Sequence, residues 1–330
     1  MSAFGAAVGL QQLAAAQDGA GPVRTAPAPA PLFVDPVYDG AADPAIIWNA
    51  ERKEWWIFYT QRRANQQDEP GVRWCHGTDI GIAVSSGDGF PWRYKGIAEG
   101  LDFEDGRNTF WAPEVIRHED AYHMYVSYIR GLHDDWSGDR HIVHYTSGDL
   151  LHWRRESTLA LSSARVIDPC VYRLPDGRWR MWYKDEAAGS HIYSAGSTDL
   201  FVWRDTGPVI ADRGGEAPNV FQLGGAYWML TDSGGLNLYR SEDLNRWTYV
   251  GPFLQAPGAR PCDGAVAQHP DALEQGDHAY LVYFVHPFGA RHTEPGKHRS
   301  VLQIARLCVA DGQLIAERDE PFRLELIPPA

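Results

Sequence analysis

The sequence predicts an all-β chain, a five-bladed β-propeller of four-stranded antiparallel blades. Three observations predict it: a head motif that occurs five times, an aromatic second strand after each head, and a turn motif that closes four of the units. The unit is clearest between Arg165 and Trp203. Val166-Ile167-Asp168-Pro169-Cys170-Val171-Tyr172 is a β-rich run, Pro175-Asp176-Gly177 a turn, and Arg178 to Tyr183 an alternating run, which together make a hairpin signal. His191 to Ala195 supplies a third strand, and Ser197 to Trp203 a turn into a fourth.

The turn motif, Ser-x-Asp-(Gly or Leu)-x-x-Trp, stands at Ser86 to Trp92, Ser147 to Trp153, Ser197 to Trp203 and Ser241 to Trp247. The heads are Ala42-Asp43-Pro44, Trp111-Ala112-Pro113-Glu114, Ile167-Asp168-Pro169, Gly215-Glu216-Ala217-Pro218 and Gln268-His269-Pro270. Aromatic second strands begin near Trp55, Tyr122, Trp179, Tyr227 and Tyr280. A sheet this small cannot bury both faces alone, so copies must stack, and radial stacking around a channel is the propeller solution. The innermost strands then line the channel, which brings Asp43, Asp168 and Glu216 around one axis.

Residues 1–31, ending in alternating Ala and Pro, read as a flexible or helical arm, with a short helix around Ala6 to Ala16; residues 32–330 form the propeller. Ala14-Ala15-Ala16 could precede a signal cleavage site, but no basic segment precedes it and Gln11-Gln12 interrupt the apolar run. A net charge of −13 without basic clusters argues against nucleic acid and anionic membrane surfaces as partners. The four cysteines have no metal-ligand spacing and read as free thiols of a reducing compartment, which favours the cytoplasm over secretion. Thirteen tryptophans suffice for an aromatic core between blades. Oligomeric state is left open.

In an antiparallel blade the loop after strand two overhangs the start of strand one, where the acids sit. That loop is long in blade one (Gln61 to Asp79, with Arg62, Arg63 and His76), in blade two (Arg130 to Arg140, with Trp136) and in blade five (His286 to Ser300). Long loops on a rigid scaffold rim a site. Three carboxylates at a channel mouth among tryptophans suit glycosidic cleavage, in which a protonated acid serves the leaving oxygen and a carboxylate works on the other side of the ring; a third acid can hold the proton on the first. An Asp before Pro is also an ordinary turn residue, and Trp111 serves equally as a sugar platform or as inter-blade packing.

These heads resemble the motifs of the five-bladed glycosidases of glycoside hydrolase family 43 and its relatives, over residues 40 to about 310. The resemblance implies Asp43 as general base, Asp168 as modulator of the acid, Glu216 as general acid, and an inverting reaction. It also implies that His269 binds a channel calcium or water, with no cofactor required. Ala217 departs from the usual Gly after the acid, which leaves the sugar open. The expected activity is an exo-acting hydrolase of an oligosaccharide of the arabinofuranoside or xyloside kind, with Trp111, Glu114, Arg62, Arg63, His76 and Trp136 binding substrate. A propeller phosphorylase and a non-catalytic carbohydrate-binding propeller are the alternatives.

Overall fold

The alternating strand-two sequences, with large apolar side chains on both faces, require a neighbour on each side. In the computed structural model, which describes residues 27–66, 68–87, 89–288 and 296–329, they have one. Trp56 and Phe58 pack toward the second blade with Met124, Val126 and Trp153, while Trp55 and Ile57 pack toward the fifth with Tyr280 and Phe284. Each such buried side chain contributes about 1.5–3 kcal/mol relative to exposure.

Five four-stranded antiparallel sheets follow one another along the chain. Blade one holds β1 (Ala41–Asn49), β2 (Glu54–Gln61), β3 (Asp79–Ser86) and β4 (Arg93–Ile97). Blade two holds β5 (Thr109–His118), β6 (Ala121–Ile129), β7 (His141–Ser147) and β8 (Arg154–Thr158). Blade three holds β9 (Val166–Arg173), β10 (Trp179–Asp185), β11 (His191–Ser197) and β12 (Arg204–Ile210). Blade four holds β13 (Glu216–Leu223), β14 (Ala226–Asp232), β15 (Leu236–Ser241) and β16 (Thr248–Phe253). Blade five holds β17 (Gln268–Gln275), β18 (His278–Val285), β19 (Val301–Ala310) and β20 (Gln313–Glu317). The expected all-β, five-bladed propeller is therefore the observed fold. The helix expected around Ala6 to Ala16, Asp88 of the first turn motif and Arg291 of the blade-five loop lie outside the described residues.

The turn motif works the same way in blades two, three and four. In blade two the Ser147 hydroxyl accepts from Leu150 N–H at 2.9 Å, and Asp149 Oδ1 accepts from the N–H groups of Leu151 and His152. Ser197 and Asp199 repeat these bonds in blade three, and Ser241 and Asp243 in blade four. These aspartates are turn-formers, as expected.

The heads carry a feature that aims side chains at the axis. The residue before each proline has a left-handed backbone: Asp43 (φ 50°), Ala112 (47°), Asp168 (58°), Ala217 (50°) and His269 (38°). The pairing of strand one with strand two slips at each of these points. Five equivalent β-bulges therefore ring the channel, each bending its strand and redirecting the local side chains. Asp43 and Asp168 hold the bulge position itself. Glu216 stands one residue earlier, the place of Trp111 in blade two.

Just below the bulges, one blade is latched to the next. Glu114 Oε1 accepts from Val171 N–H at 2.7 Å, Cys170 Sγ from Val220 N–H at 3.3 Å, Asn219 Oδ1 from Ala272 N–H at 3.1 Å, and Asp271 Oδ2 from Ile46 N–H at 2.7 Å. The last of these closes the ring between blades five and one. In the fifth place stands Ala45, whose methyl group has no acceptor to offer.

Candidate functional site

The bulges open into a cavity of about 460 Å³ at the mouth of the channel. Asp43, Asp168 and Glu216 all line it, together with Arg62, Trp111, Trp136 and His269. The long loops rim it as expected: Trp74 and Cys75 come from the blade-one loop, Trp136 and Arg140 from the blade-two loop, and His286 from the start of the blade-five loop. The first two loops are docked on each other. Val72 N–H donates to the Asp134 carbonyl at 2.9 Å, and Arg73 Nε lies 2.6 Å from Asp134 Oδ1. Gly71 is required at this junction, since its φ is +55° and a Cβ there would meet the Asp134 carbonyl oxygen at 1.9 Å.

The three acids differ in environment. Asp43 is 3% exposed, and Arg62 Nη2 lies 2.9 and 3.1 Å from its two oxygens. Burial favours the neutral carboxyl, but the charges of Arg62 and His269, with hydrogen bonds from Thr60 and Arg62, outweigh it and hold Asp43 below the ordinary carboxylate range. Asp43 is thus kept ionised. Arg62 is itself fixed, with its guanidinium 4.6 Å from the centre of the Phe284 ring.

Asp168 is buried, and Ala217 N–H donates to its Oδ2 at 3.1 Å. Burial pushes its carboxyl up to about 6; the charges of Glu216 and Asp43 add to this, against those of His269 and Lys184. Glu216, by contrast, has a side chain 43% exposed to the cavity, with Lys184 Nζ 2.7 Å from its Oε2. Of the three carboxyls it is the one an incoming ligand reaches first.

Three residues expected to bind substrate do not line the cavity. Glu114 lies three residues past Trp111 on the bulged β5, below the cavity in the channel, where it latches Val171. Arg63 turns away into its own loop, donating to the carbonyls of His76 at 2.8 Å and Arg73 at 2.9 Å and to Glu69 at 2.8 Å. His76 is fully buried, its ring edge-on to Trp111 at 5.0 Å, so it supports the wall from behind. Burial, with the charge of His133, lowers its imidazole to about 4 and keeps it neutral. Trp111 is itself buried, its indole N–H donating to the Cys75 carbonyl at 2.6 Å, whereas Trp136 is 55% exposed at the rim.

His269 Nδ1 lies 3.4 Å from Asp43 Oδ1, and His269 N–H donates to Asp232 Oδ2 at 3.2 Å. Calcium takes six to eight oxygen ligands. Asp43 is already engaged by Arg62, and among the described residues no group of three or more His, Cys, Asp or Glu side chains could hold a metal. The donor set around His269 does not fit a protein-ligated calcium.

Lys184, Glu186, Asp232 and Arg140 also line the cavity, and no motif of the sequence marks them. Lys184 and Asp232 occupy one equivalent place in strand two, opposite the residue that precedes the bulge, as do Thr60 and Ser127. Aligning the second strands on their aromatic residues would have exposed this set. Thr60 accepts from Ala112 N–H at 2.8 Å, Ser127 from Asp168 N–H at 3.0 Å, and Asp232 from His269 N–H, so each ties down the bulge of the following blade. Burial, with the charge of Glu216, pushes Asp232 up to about 6.

No family model matches the chain. A protein of Mycobacterium tuberculosis, described only as uncharacterized, is 29% identical over 137 residues, covering 39% of this chain and 44% of that protein, so the match spans under half of the relative's length. Solved structures are similar over far more of the chain. A thermostable family-43 glycoside hydrolase superposes with a TM-score of 0.65 at 19% identity, covering 90% of this chain and 99% of that one. A family-43 β-xylosidase/α-arabinofuranosidase from a compost microbial metagenome, in complex with xylotriose, gives 0.62 at 17% identity over 86% and 96%. A family-43 enzyme of Xanthomonas citri complexed with xylose gives 0.63 at 18% over 86% and 91%. The chain thus has the five-bladed propeller fold found in family-43 glycoside hydrolases, the fold its heads resembled.

Proposed function

We propose that this protein is a glycoside hydrolase, exo-acting and inverting, in which Asp43 is the general base, Glu216 the general acid and Asp168 the modulator of that acid. The observation that carries the reading is the convergence of these three carboxyls, from blades one, three and four, on one tryptophan-walled cavity. Asp43, held ionised, accepts a proton from water as the water attacks the anomeric carbon. Glu216, exposed to the cavity, gives its proton to the leaving oxygen. Two such groups on opposite sides of a sugar ring are what inversion requires. The rim loops of blades one, two and five make the mouth a pocket, which favours removal of terminal sugars. Xylose and xylotriose in the neighbours above make xylosides and arabinofuranosides the first substrates to try.

The test is a screen of aryl glycosides of xylose, arabinofuranose, galactose and uronic acids, with NMR of the first-formed anomer. Release of the inverted anomer is expected; a retained anomer would overturn the base assignment. Phosphate-dependent release of a sugar phosphate would instead make the protein a phosphorylase, and binding without turnover a carbohydrate-binding propeller.

Asp168 gives a pH prediction. Its carboxyl is pushed up to about 6, so below that pH it is neutral and accepts more weakly from Ala217 N–H, the bond that sets the backbone beside Glu216. Wild-type kcat/KM is therefore expected to fall on the acid side with a midpoint near 6, and Asp168→Asn to lose that limb along with most of the activity. An unchanged limb in the variant would remove the modulator role.

A further inference from the structure

Lys184 occupies the strand-two place where the blades on either side carry Ser127 and Asp232, but an ammonium cannot accept the N–H of the next bulge. Ala217 N–H is taken by Asp168 instead, and Lys184 reaches across to blade four, its Nζ 2.7 Å from Glu216 Oε2 and 3.3 Å from Glu186 Oε1. Glu186 is held in turn by Arg140 and by Arg165, the latter at 3.1 Å. Lys184 is 8% exposed and the Glu186 side chain 15% exposed, so the ammonium is fixed from behind and presented to Glu216, whose side chain is 43% exposed.

We propose that Lys184 is a positioning residue for proton transfer: it holds Glu216 at the cavity wall and stabilises the negative charge that Glu216 acquires as it gives up its proton. The proposal rests on the assignment of Glu216 as general acid. In the step, the O–H bond of the Glu216 carboxyl breaks as an O–H bond forms on the leaving oxygen. The electron pair of the breaking C–O bond stays on that oxygen, and the attacking water, deprotonated by Asp43, bonds to the anomeric carbon. Glu216 ends as a carboxylate against the Lys184 ammonium. Charge that appears only during the reaction is where a fixed cation accelerates it.

The benefit must then depend on how much the leaving group needs a proton. The experiment measures kcat and KM for wild type, Lys184→Met, Lys184→Gln, Lys184→Arg and Glu216→Gln on a series running from nitrophenyl glycosides to unactivated oligosaccharides. The Met and Gln variants are expected to lose about 10- to 100-fold in kcat on unactivated substrates, within the roughly 10²–10⁴ that general acid catalysis supplies, and under about 3-fold on nitrophenyl glycosides. Lys184→Arg, which keeps the charge, should recover most of the loss. Having two uncharged variants keeps the test available if one fails to fold, as judged by melting temperature. An equal loss across the series, no loss, or failure of Arg to rescue a loss that Gln shows would overturn the proposal. Glu216→Gln separates the two levels: if it keeps wild-type turnover on unactivated substrates, the acid assignment itself fails, whereas if it collapses there while Lys184→Met and Lys184→Gln do not, only the role of Lys184 is lost.

Discussion

Replacing Asp43 with Asn will lower kcat by about 10²–10⁴-fold on every cleavable glycoside, activated or not, because a water molecule left without a proton acceptor attacks poorly whatever the leaving group. Glu216→Gln gives the contrasting pattern, with a loss of the same order on unactivated substrates and a small one on nitrophenyl glycosides, which leave without assistance. The contrast is what distinguishes base from acid, and steady-state kinetics across both substrate types measures it. Near-wild-type turnover by either variant would remove the role given to that residue. Folding has to be measured in parallel for Asp43→Asn, because Asp43 is the counter-charge of the partly buried Arg62. Unpairing a fully buried guanidinium costs about 3–5 kcal/mol and this partly exposed one less, so a smaller fall in melting temperature is expected with the kinetic loss. Asp43→Asn combined with Arg62→Met removes both charges. It should recover stability and recover no activity, which separates the chemical role of Asp43 from its structural one.

The sequence made the architecture legible because each blade repeats a physical necessity. The Ser and Asp of the turn motif bond the same N–H groups in blades two, three and four, and each aromatic strand two must meet a neighbour on both faces. The acids were legible because they sit within two residues of the proline that marks each bulge. Their offset was legible too, since Asp43 and Asp168 directly precede their prolines and Glu216 stands one residue earlier; the backbone angles add that the residue before each proline is the bulge. Side chains from loops are less legible. Arg62 and Arg63 are adjacent, yet one neutralises Asp43 and the other fastens its own loop to three partners, and residue type could not separate them. Lys184 went unnoticed for a related reason. Its place is defined by register against strand one, and nothing local to Lys184 announces that register.

Glu114 was expected to bind substrate, and its position below the cavity points to a measurable effect on stability instead. It and Asp271 are partly buried acids in the channel, each raised first by desolvation, Glu114 to about 8 with the charge of Asp271 adding, and Asp271 to about 6. The donor supply decides which of the pair ionises first. Asp271 accepts from Ile46 N–H at 2.7 Å and from Asn219 Nδ2 at 3.0 Å, while Glu114 has the single N–H of Val171. Asp271 therefore carries the charge near neutrality and Glu114 the proton. The unfolded chain ionises a glutamate near its ordinary value of 4.5, so between that pH and about 8 the unfolded state binds fewer protons than the folded one, and stability falls as pH rises. Glu114→Gln removes this penalty and keeps an oxygen for Val171. At pH 5, where the glutamate is neutral in the fold, the variant should melt within about 1 °C of wild type; at pH 9 it should melt higher, by on the order of 3–6 °C. Melting curves across that range decide it. A variant less stable than wild type at pH 9 would mean that the ionised carboxylate is the better partner for Val171, and that the charge of Asp271 does not reach Glu114 across the channel.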